Sequence, residues 1–194
     1  WSVWKRTPRE GDEGWAEYFV MIRRNAAQEK LNVDWEELSY TVFKGKSKKS
    51  IDKMLSNEGI VKEMRSRTYK LETTTGWRGL EWEIGDKAYF HYMTQKNKDF
   101  IDYERTVWKP IAQQRILDGY LKYWGISKLV DSNDLTKELK SSSTHIAFNF
   151  PTKKQNEPEM IPSEDFLSAK SWEGLLNSRE MLPAEELTLV YSSF

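Results

Sequence analysis

The chain has 194 residues and equal numbers of basic and acidic side chains, 30 of each. It contains no cysteine, which excludes a disulfide framework and any zinc site with cysteine ligands. No apolar run approaches the ~20 residues that a membrane-spanning helix needs. Nine Trp, nine Tyr and eight Phe supply the apolar area of a core, so we expect a folded domain rather than a disordered chain.

The N-terminal part of the sequence predicts strands followed by helices. Residues 1–6 and 15–24 have the apolar and aromatic content of two strands, separated by an exposed loop. Residues 25–38 carry apolar side chains at helical spacing, and residues 40–43 form a short apolar run. After a basic loop, Ser50 is expected to cap an amphipathic helix.

Residues 80–92 predict a β-hairpin, because apolar and polar residues alternate on both sides of a Gly-Asp-Lys turn. A three-residue loop at 85–87 sets the register. It places Trp82 and Phe90 on one buried face, and Glu81 beside His91 on the other.

Residues 99–124 predict a helix that Pro110 kinks or divides, with Gly125 just after its end. A short helix is predicted over 134–140 and a strand over 145–150. Together these elements indicate an α+β fold in which antiparallel β-hairpins pack against helices.

The remainder of the sequence predicts a linker and a separate segment. Residues 151–162 contain three prolines and no periodicity, which is typical of a linker. We therefore predict an aromatic-rich α+β domain over 1–150, the linker, and an acidic C-terminal segment over 163–194. This segment is expected to be mostly helical, with a last strand near 187–191, and to dock on the main domain.

The balanced total charge hides two segments of opposite sign. Residues 44–78 contain ten basic and four acidic residues, a net charge of +6. Residues 155–194 contain two basic and eight acidic residues, a net charge of −6. Such asymmetry indicates a surface for a charged partner, or one segment that covers the other.

The basic segment gives the leading functional hypothesis. Its cations can contact phosphates, and its aromatic side chains can stack on unpaired bases. No RNP, KH or zinc-finger spacing accompanies them, and a solvated lysine loop is the structural alternative. The candidate nucleic-acid-binding residues are Lys44, Lys46, Lys48, Lys49, Arg65, Arg67, Tyr69, Lys70, Trp77 and Arg78.

The predicted pair of Glu81 and His91 gives an enzymatic alternative. A carboxylate beside an imidazole can orient a general base. Four further acids are close enough in sequence to complete a divalent-metal site for phosphoester hydrolysis: Glu83, Asp86, Asp99 and Asp102. An exposed polar pair without catalytic function is the structural alternative.

We therefore expect a non-enzymatic binding module that uses no metal and no cofactor. Its basic surface would contact nucleic acid, RNA rather than DNA, and its acidic C-terminal segment would contact protein or cover the basic surface. A protein scaffold without nucleic acid and a metal-dependent nuclease are the alternatives. The absence of cysteine is compatible with a reducing compartment, so we expect an intracellular location, cytoplasmic or nuclear, and no membrane insertion.

Overall fold

The computed structural model describes residues 1–11, 16–29, 34–43, 45–56, 59, 63–76, 81–133, 143–154 and 165–193. The chain divides into two compact units, one of Trp1–Met21 with Arg65–Phe194 and one of Ile22–Met64. The predicted α+β class is confirmed. No helix within the described ranges is both long and apolar enough to cross a membrane.

The larger unit is built on one antiparallel sheet, a curled half-barrel to which the described residues contribute eight strands. The strands are β1 (Ser2–Arg6), β2 (Tyr18–Met21), β3 (Arg67–Thr74), β4 (Lys87–Gln95), β5 (Leu121–Ser132), β6 (His145–Pro151), β7 (Arg179–Met181) and β8 (Glu185–Ser192). Their order across the sheet is β2-β1-β8-β4-β6-β5-β3, and β7 also pairs with β4. The strand β8 therefore lies between β1 and β4.

The central strands β4, β5 and β6 have buried side chains on both faces of the sheet, and successive side chains of a strand point to opposite faces. One face carries an aromatic core, whose members include Trp4, Phe90, Tyr92, Tyr123 and Phe150. The opposite face carries a helix-side core, whose members include Met93, Phe100, Ala112, Trp124 and Ile126. Odd-numbered residues of β4 thus face the helices, and even-numbered residues from 88 to 92 face the aromatic core.

The helix-side core is covered by consecutive helical segments, α4 (Phe100–Tyr103), a π-helical turn (Glu104–Trp108) and α5 (Lys109–Leu117). The change from the π turn to α5 falls just before Pro110, where a kink or two consecutive helices were predicted, and the chain stays helical through Pro110. Pro110 lies in the first turn of α5, where its missing N–H is tolerated, and the wider π turn precedes it.

The predicted extension of this helix to residue 124 is wrong. The helix ends at Leu117, and Gly119 turns the chain with φ 77° into β5. Residues 121–127 of β5 are buried on both faces except at Lys122. A strand buried on both sides shows a continuous apolar run, which spacing alone does not distinguish from a helix.

The smaller unit contains α1 (Ala26–Glu29), α2 (Trp35–Val42) and α3 (Lys48–Leu55). The predicted helix over 25–38 is therefore two helices, and most of the run 40–43 lies within α2. The α3 cap is Ser47 rather than Ser50, because the Ser47 hydroxyl accepts a hydrogen bond from the Ser50 N–H at 3.3 Å.

The predicted hairpin over 80–92 is wrong. Strand β4 pairs with β6 on one edge and with β7 and β8 on the other, so neither edge is open to the preceding residues. Residues 83–86 form a turn in which the Asp86 carboxylate accepts from the Glu83 N–H at 2.9 Å. His91 therefore pairs with Ala147, not with Glu81. Trp82 still packs on the aromatic core, 4.5 Å from the Phe150 ring.

The C-terminal segment is helical only in its first half. It forms α6 (Phe166–Asn177), which is followed by β7 and β8, so the predicted last strand is present and is longer than expected. The helix predicted over 134–140 lies outside the described residues, as does most of the linker at 151–162. The domain boundaries drawn at that linker stay a prediction.

A buried ion pair joins β1 to β8. The Arg6 Nε donates to the Glu185 Oε2 at 2.6 Å, and both side chains are at most 4% exposed. The Arg9 guanidinium lies 2.9 Å from the other carboxylate oxygen. The next residue, Glu186, pairs instead with Lys87 at the surface.

We expect Glu185→Ala to lower the free energy of unfolding by about 3–5 kcal/mol, because it removes the buried carboxylate that pairs with the Arg6 guanidinium. The adjacent variant Glu186→Ala is the matched control and should cost less than ~1 kcal/mol, since its ion pair is exposed. Urea unfolding followed by Trp fluorescence measures both. Equal effects would show that the buried pair does not stabilise the fold.

Candidate functional site

The predicted basic residues of the smaller unit lie around the start of α3. Lys46, Lys48 and Lys49 are exposed, and the Lys48 Nζ lies 5.1 Å from the centroid of the Tyr40 ring. Lys44 lies outside the described residues. This part of the prediction therefore corresponds to an accessible cationic loop and helix start.

The other described members of the predicted set belong to the larger unit, on or next to β3. The Arg67 guanidinium lies 5.1 Å from the Tyr92 ring and donates to the Tyr69 hydroxyl at 3.4 Å. Tyr69 packs against the aromatic core, and burial raises the pKa of its hydroxyl. Arg67 and Tyr69 thus contribute to packing, while Lys70 is exposed and Arg65 half-buried. Trp77 and Arg78 lie outside the described residues.

A groove of about 650 Å³ opens on the helix side of the sheet. Tyr89 and His91 of β4 and Asn149 of β6 line it from the sheet, and Tyr89 is the cross-strand neighbour of Asn149. Trp108 and Arg115 line it from the helical layer. The groove lies beside the helix-side core.

The lining of the groove is cationic. Its charged members are Lys87, Arg115, Lys153 and Lys154, and no carboxylate occurs among the described lining residues. Two carboxylates outside the lining balance part of this charge, Glu186 at 2.7 Å from the Lys87 Nζ and Glu83 beside Lys153. Four cations and these two acids leave a local charge of +2.

The carboxylates that pair with Lys153 and Lys87 can be replaced by an anionic group of a ligand. The Lys153–Glu83 and Lys87–Glu186 pairs have both side chains more than a third exposed, and such exposed pairs contribute little to folding stability. The Lys154 Nζ donates to the Asp118 carbonyl at 2.7 Å and lies 4.0 Å from the Tyr120 ring. A phosphate can therefore replace the rim carboxylates at little cost in folding stability.

The indole of Trp108 is held in the groove wall by a buried ion pair. Glu104 of the π turn is fully buried and pairs with Arg179 of β7. The Arg179 guanidinium lies 5.7 Å from the Trp108 ring, and the centroids of the Trp108 ring and the Trp172 ring of α6 are 6.0 Å apart. The π turn thus positions Glu104 inward and Trp108 at the groove.

His91 is a neutral side chain in this groove. Burial, the Arg179 charge and the Arg115 charge together lower its pKa from 6.5 to about 4. Neutral imidazole has both a donor and an acceptor nitrogen, so it can contact a ligand without adding charge. The enzymatic alternative requires His91 to lie beside Glu81, and the structure instead pairs His91 with Ala147.

No metal site supports the enzymatic alternative within the described ranges. No group of three or more His, Asp or Glu side chains there could hold a metal ion. The Asp86 carboxylate, one of the predicted ligands, instead accepts from the Lys122 Nζ at 2.7 Å.

Comparison with known proteins gives no family and no neighbour: no protein-family model, no curated protein and no solved structure matches the chain.

Sequence reasoning missed the groove because its residues are distant along the chain. The only local signal is the Lys153-Lys154 pair, which the proline content of 151–162 assigned to a linker. Both lysines directly follow β6, and the Thr152 hydroxyl between them and the strand donates to the Gly119 carbonyl at 2.7 Å.

We expect His91 to make the protein less stable in acid. Its folded pKa lies below its unfolded value, so the unfolded chain binds the proton more readily. Stability is therefore lost as the pH falls from about 6.5 towards about 4. His91→Gln removes this loss. Relative to the wild type, the variant should gain about 2–3 kcal/mol in free energy of unfolding between pH 7 and pH 4.5.

Urea unfolding of both proteins at the two pH values measures this gain. Titration of His145 changes the free energy of unfolding of both proteins equally, so its effect cancels in the difference between them. A difference that does not change with pH would show that His91 is not buried near the two arginines.

Proposed function

We propose that the protein is a non-enzymatic binding module for single-stranded nucleic acid, RNA rather than DNA, and that the groove holds one nucleotide of the strand. One observation carries the proposal: the described lining combines four cationic side chains with two aromatic rings, Tyr89 and Trp108, and no carboxylate. The intracellular location expected from the sequence is part of the proposal.

The proposal follows from the chemistry of a nucleotide. Its phosphate requires cations, which Lys153, Lys154 and Arg115 supply. Its base requires an aromatic surface, and stacking is worth about 1–3 kcal/mol per base. The groove volume falls in the range of about 300–1,000 Å³ that is typical of small-ligand sites.

A single strand suits the groove better than a duplex. A base can reach Tyr89 or Trp108 only when it is free to leave a stack, which is the usual mode of sequence-tolerant RNA binding. The Thr152 hydroxyl lines the same groove. Its oxygen can accept a hydrogen bond from a 2′-hydroxyl, which supports RNA over DNA.

A protein contact by the C-terminal segment is the second function that an observation favours. Helix α6 begins with Phe166 and Leu167, which are 72% and 74% exposed. Adjacent exposed apolar side chains of this size are typical of protein-contacting surfaces. A wild-type protein that binds no RNA at low salt would favour this function over the first.

The double variant Lys153→Ala/Lys154→Ala should weaken binding to single-stranded RNA whatever its sequence. Removal of two phosphate contacts should also reduce the slope of log K against log salt concentration by about 1.4, at ~0.7 per contact. Fluorescence anisotropy with a labelled RNA decamer over a salt series measures both quantities.

The control is Lys96→Ala/Lys98→Ala, which removes the same charge from exposed positions that do not line the groove. It should leave the slope nearly unchanged. Equal reductions by the two double variants would show that net charge, not the groove, determines binding.

The cationic loop of the smaller unit is tested separately. The variant Lys46→Ala/Lys48→Ala/Lys49→Ala should lower RNA affinity and the salt slope if this loop adds phosphate contacts to those of the groove, as we expect. The same anisotropy titration applies. Affinity equal to that of the wild type at low salt would confine binding to the larger unit.

A further inference from the structure

A buried acceptor in the groove lacks a donor. The Asn149 Oδ1 is inaccessible to solvent, and no described residue donates a hydrogen bond to it. Asn149 lies on β6, between Tyr89 of β4 and Trp124 of β5 in the register of the sheet. Its side chain is on the helix side of the sheet, where it lines the groove.

An unpaired acceptor at this position destabilises the fold. A buried carbonyl without a donor costs about 1–3 kcal/mol relative to one that is hydrogen-bonded. The neighbouring helix-side positions, Ala147 on β6 and Trp124 on β5, belong to the apolar core. An apolar residue at 149 would therefore suit the packing better than Asn does.

The groove supplies a reason for Asn at this position, if a ligand provides the donor. We infer that Asn149 recognises the base: its half-buried side chain turns its amide towards an entering ligand, and Oδ1 then accepts a hydrogen bond from an N–H on the Watson–Crick edge of an unpaired base. The inference rests on the proposed function, because it takes the ligand to be a nucleotide. Every nucleobase has such an N–H, and in a duplex the partner strand occupies it. Asn149 would thus make the groove selective for unpaired bases.

The test compares Asn149→Leu with the wild type in stability and in RNA binding. Leu has the same number of side-chain heavy atoms, branches at the same carbon and has no acceptor, so the variant should melt about 2–4 °C higher for each kcal/mol of relieved cost. Affinity for the tightest-binding of four homopolymeric RNA hexamers should fall about 3- to 10-fold, the value of one hydrogen bond. Affinity for an abasic hexamer should not change.

A higher melting temperature together with a lower RNA affinity distinguishes a role in recognition from a role in the fold. An Asn that only supports the fold would lower the melting temperature when it is replaced. Asn177→Leu is the matched control at an exposed position of α6. It should change neither the affinity for the base-containing hexamer nor the affinity for the abasic hexamer. A lower melting temperature for Asn149→Leu, or an unchanged affinity for all base-containing hexamers, would overturn the inference while leaving the proposed function intact. Failure of the wild-type protein to bind any hexamer, including the abasic one, would overturn both.

Discussion

Pairing of β8 with two strands at once is the constraint on which the rest of the larger unit depends. Strand β8 lies between β1 and β4, and the buried Arg6–Glu185 pair fixes it against β1. With β6 on its other edge, β4 becomes a central strand. The alternation of its side chains is then fixed, which directs Tyr89 and His91 to the groove and Phe90 to the aromatic core.

The π-helical turn is the second device that shapes the groove. Pro110 has no N–H for a helical hydrogen bond and its ring crowds the preceding turn, and the wider turn over Glu104–Trp108 lies directly before α5. Its geometry brings Glu104 into the interior, where it pairs with Arg179, and brings Trp108 to the groove. A single buried pair therefore influences both the Trp108 indole and, through the charge of Arg179, the protonation of His91.

Sequence patterns predicted burial better than pairing. Trp82 and Phe90 were expected in one core, and both are in it, but the hairpin that was to place them there does not form. Local alternation specifies which side of a strand is apolar, whereas the partner of β4 is decided by strands far along the chain. The helix predicted through Trp124 failed for a related reason, since a doubly buried strand has no polar face to reveal its period.

The candidate site was predictable only in its chemistry. Cations and aromatic rings were expected together, but in residues 44–78, where the described members fall into two groups, one in each unit. The groove collects its cations from β4, α5 and the residues after β6. No window of sequence contains them, so only the register of β4 with β6 could have brought Tyr89, His91 and Asn149 into one site.

The position of β8 also sets an order for folding during synthesis. Arg6 and Glu185 are separated by 179 positions, so β1 emerges long before the strand that it pairs with. Until then the edge of β1 that faces β8 has unpaired backbone groups, and so does the edge of β4 that faces β8 over residues 87–90. Such long-range pairing makes folding slow and leaves edges open to association with other chains. The nascent protein should therefore depend on chaperones more than its size suggests.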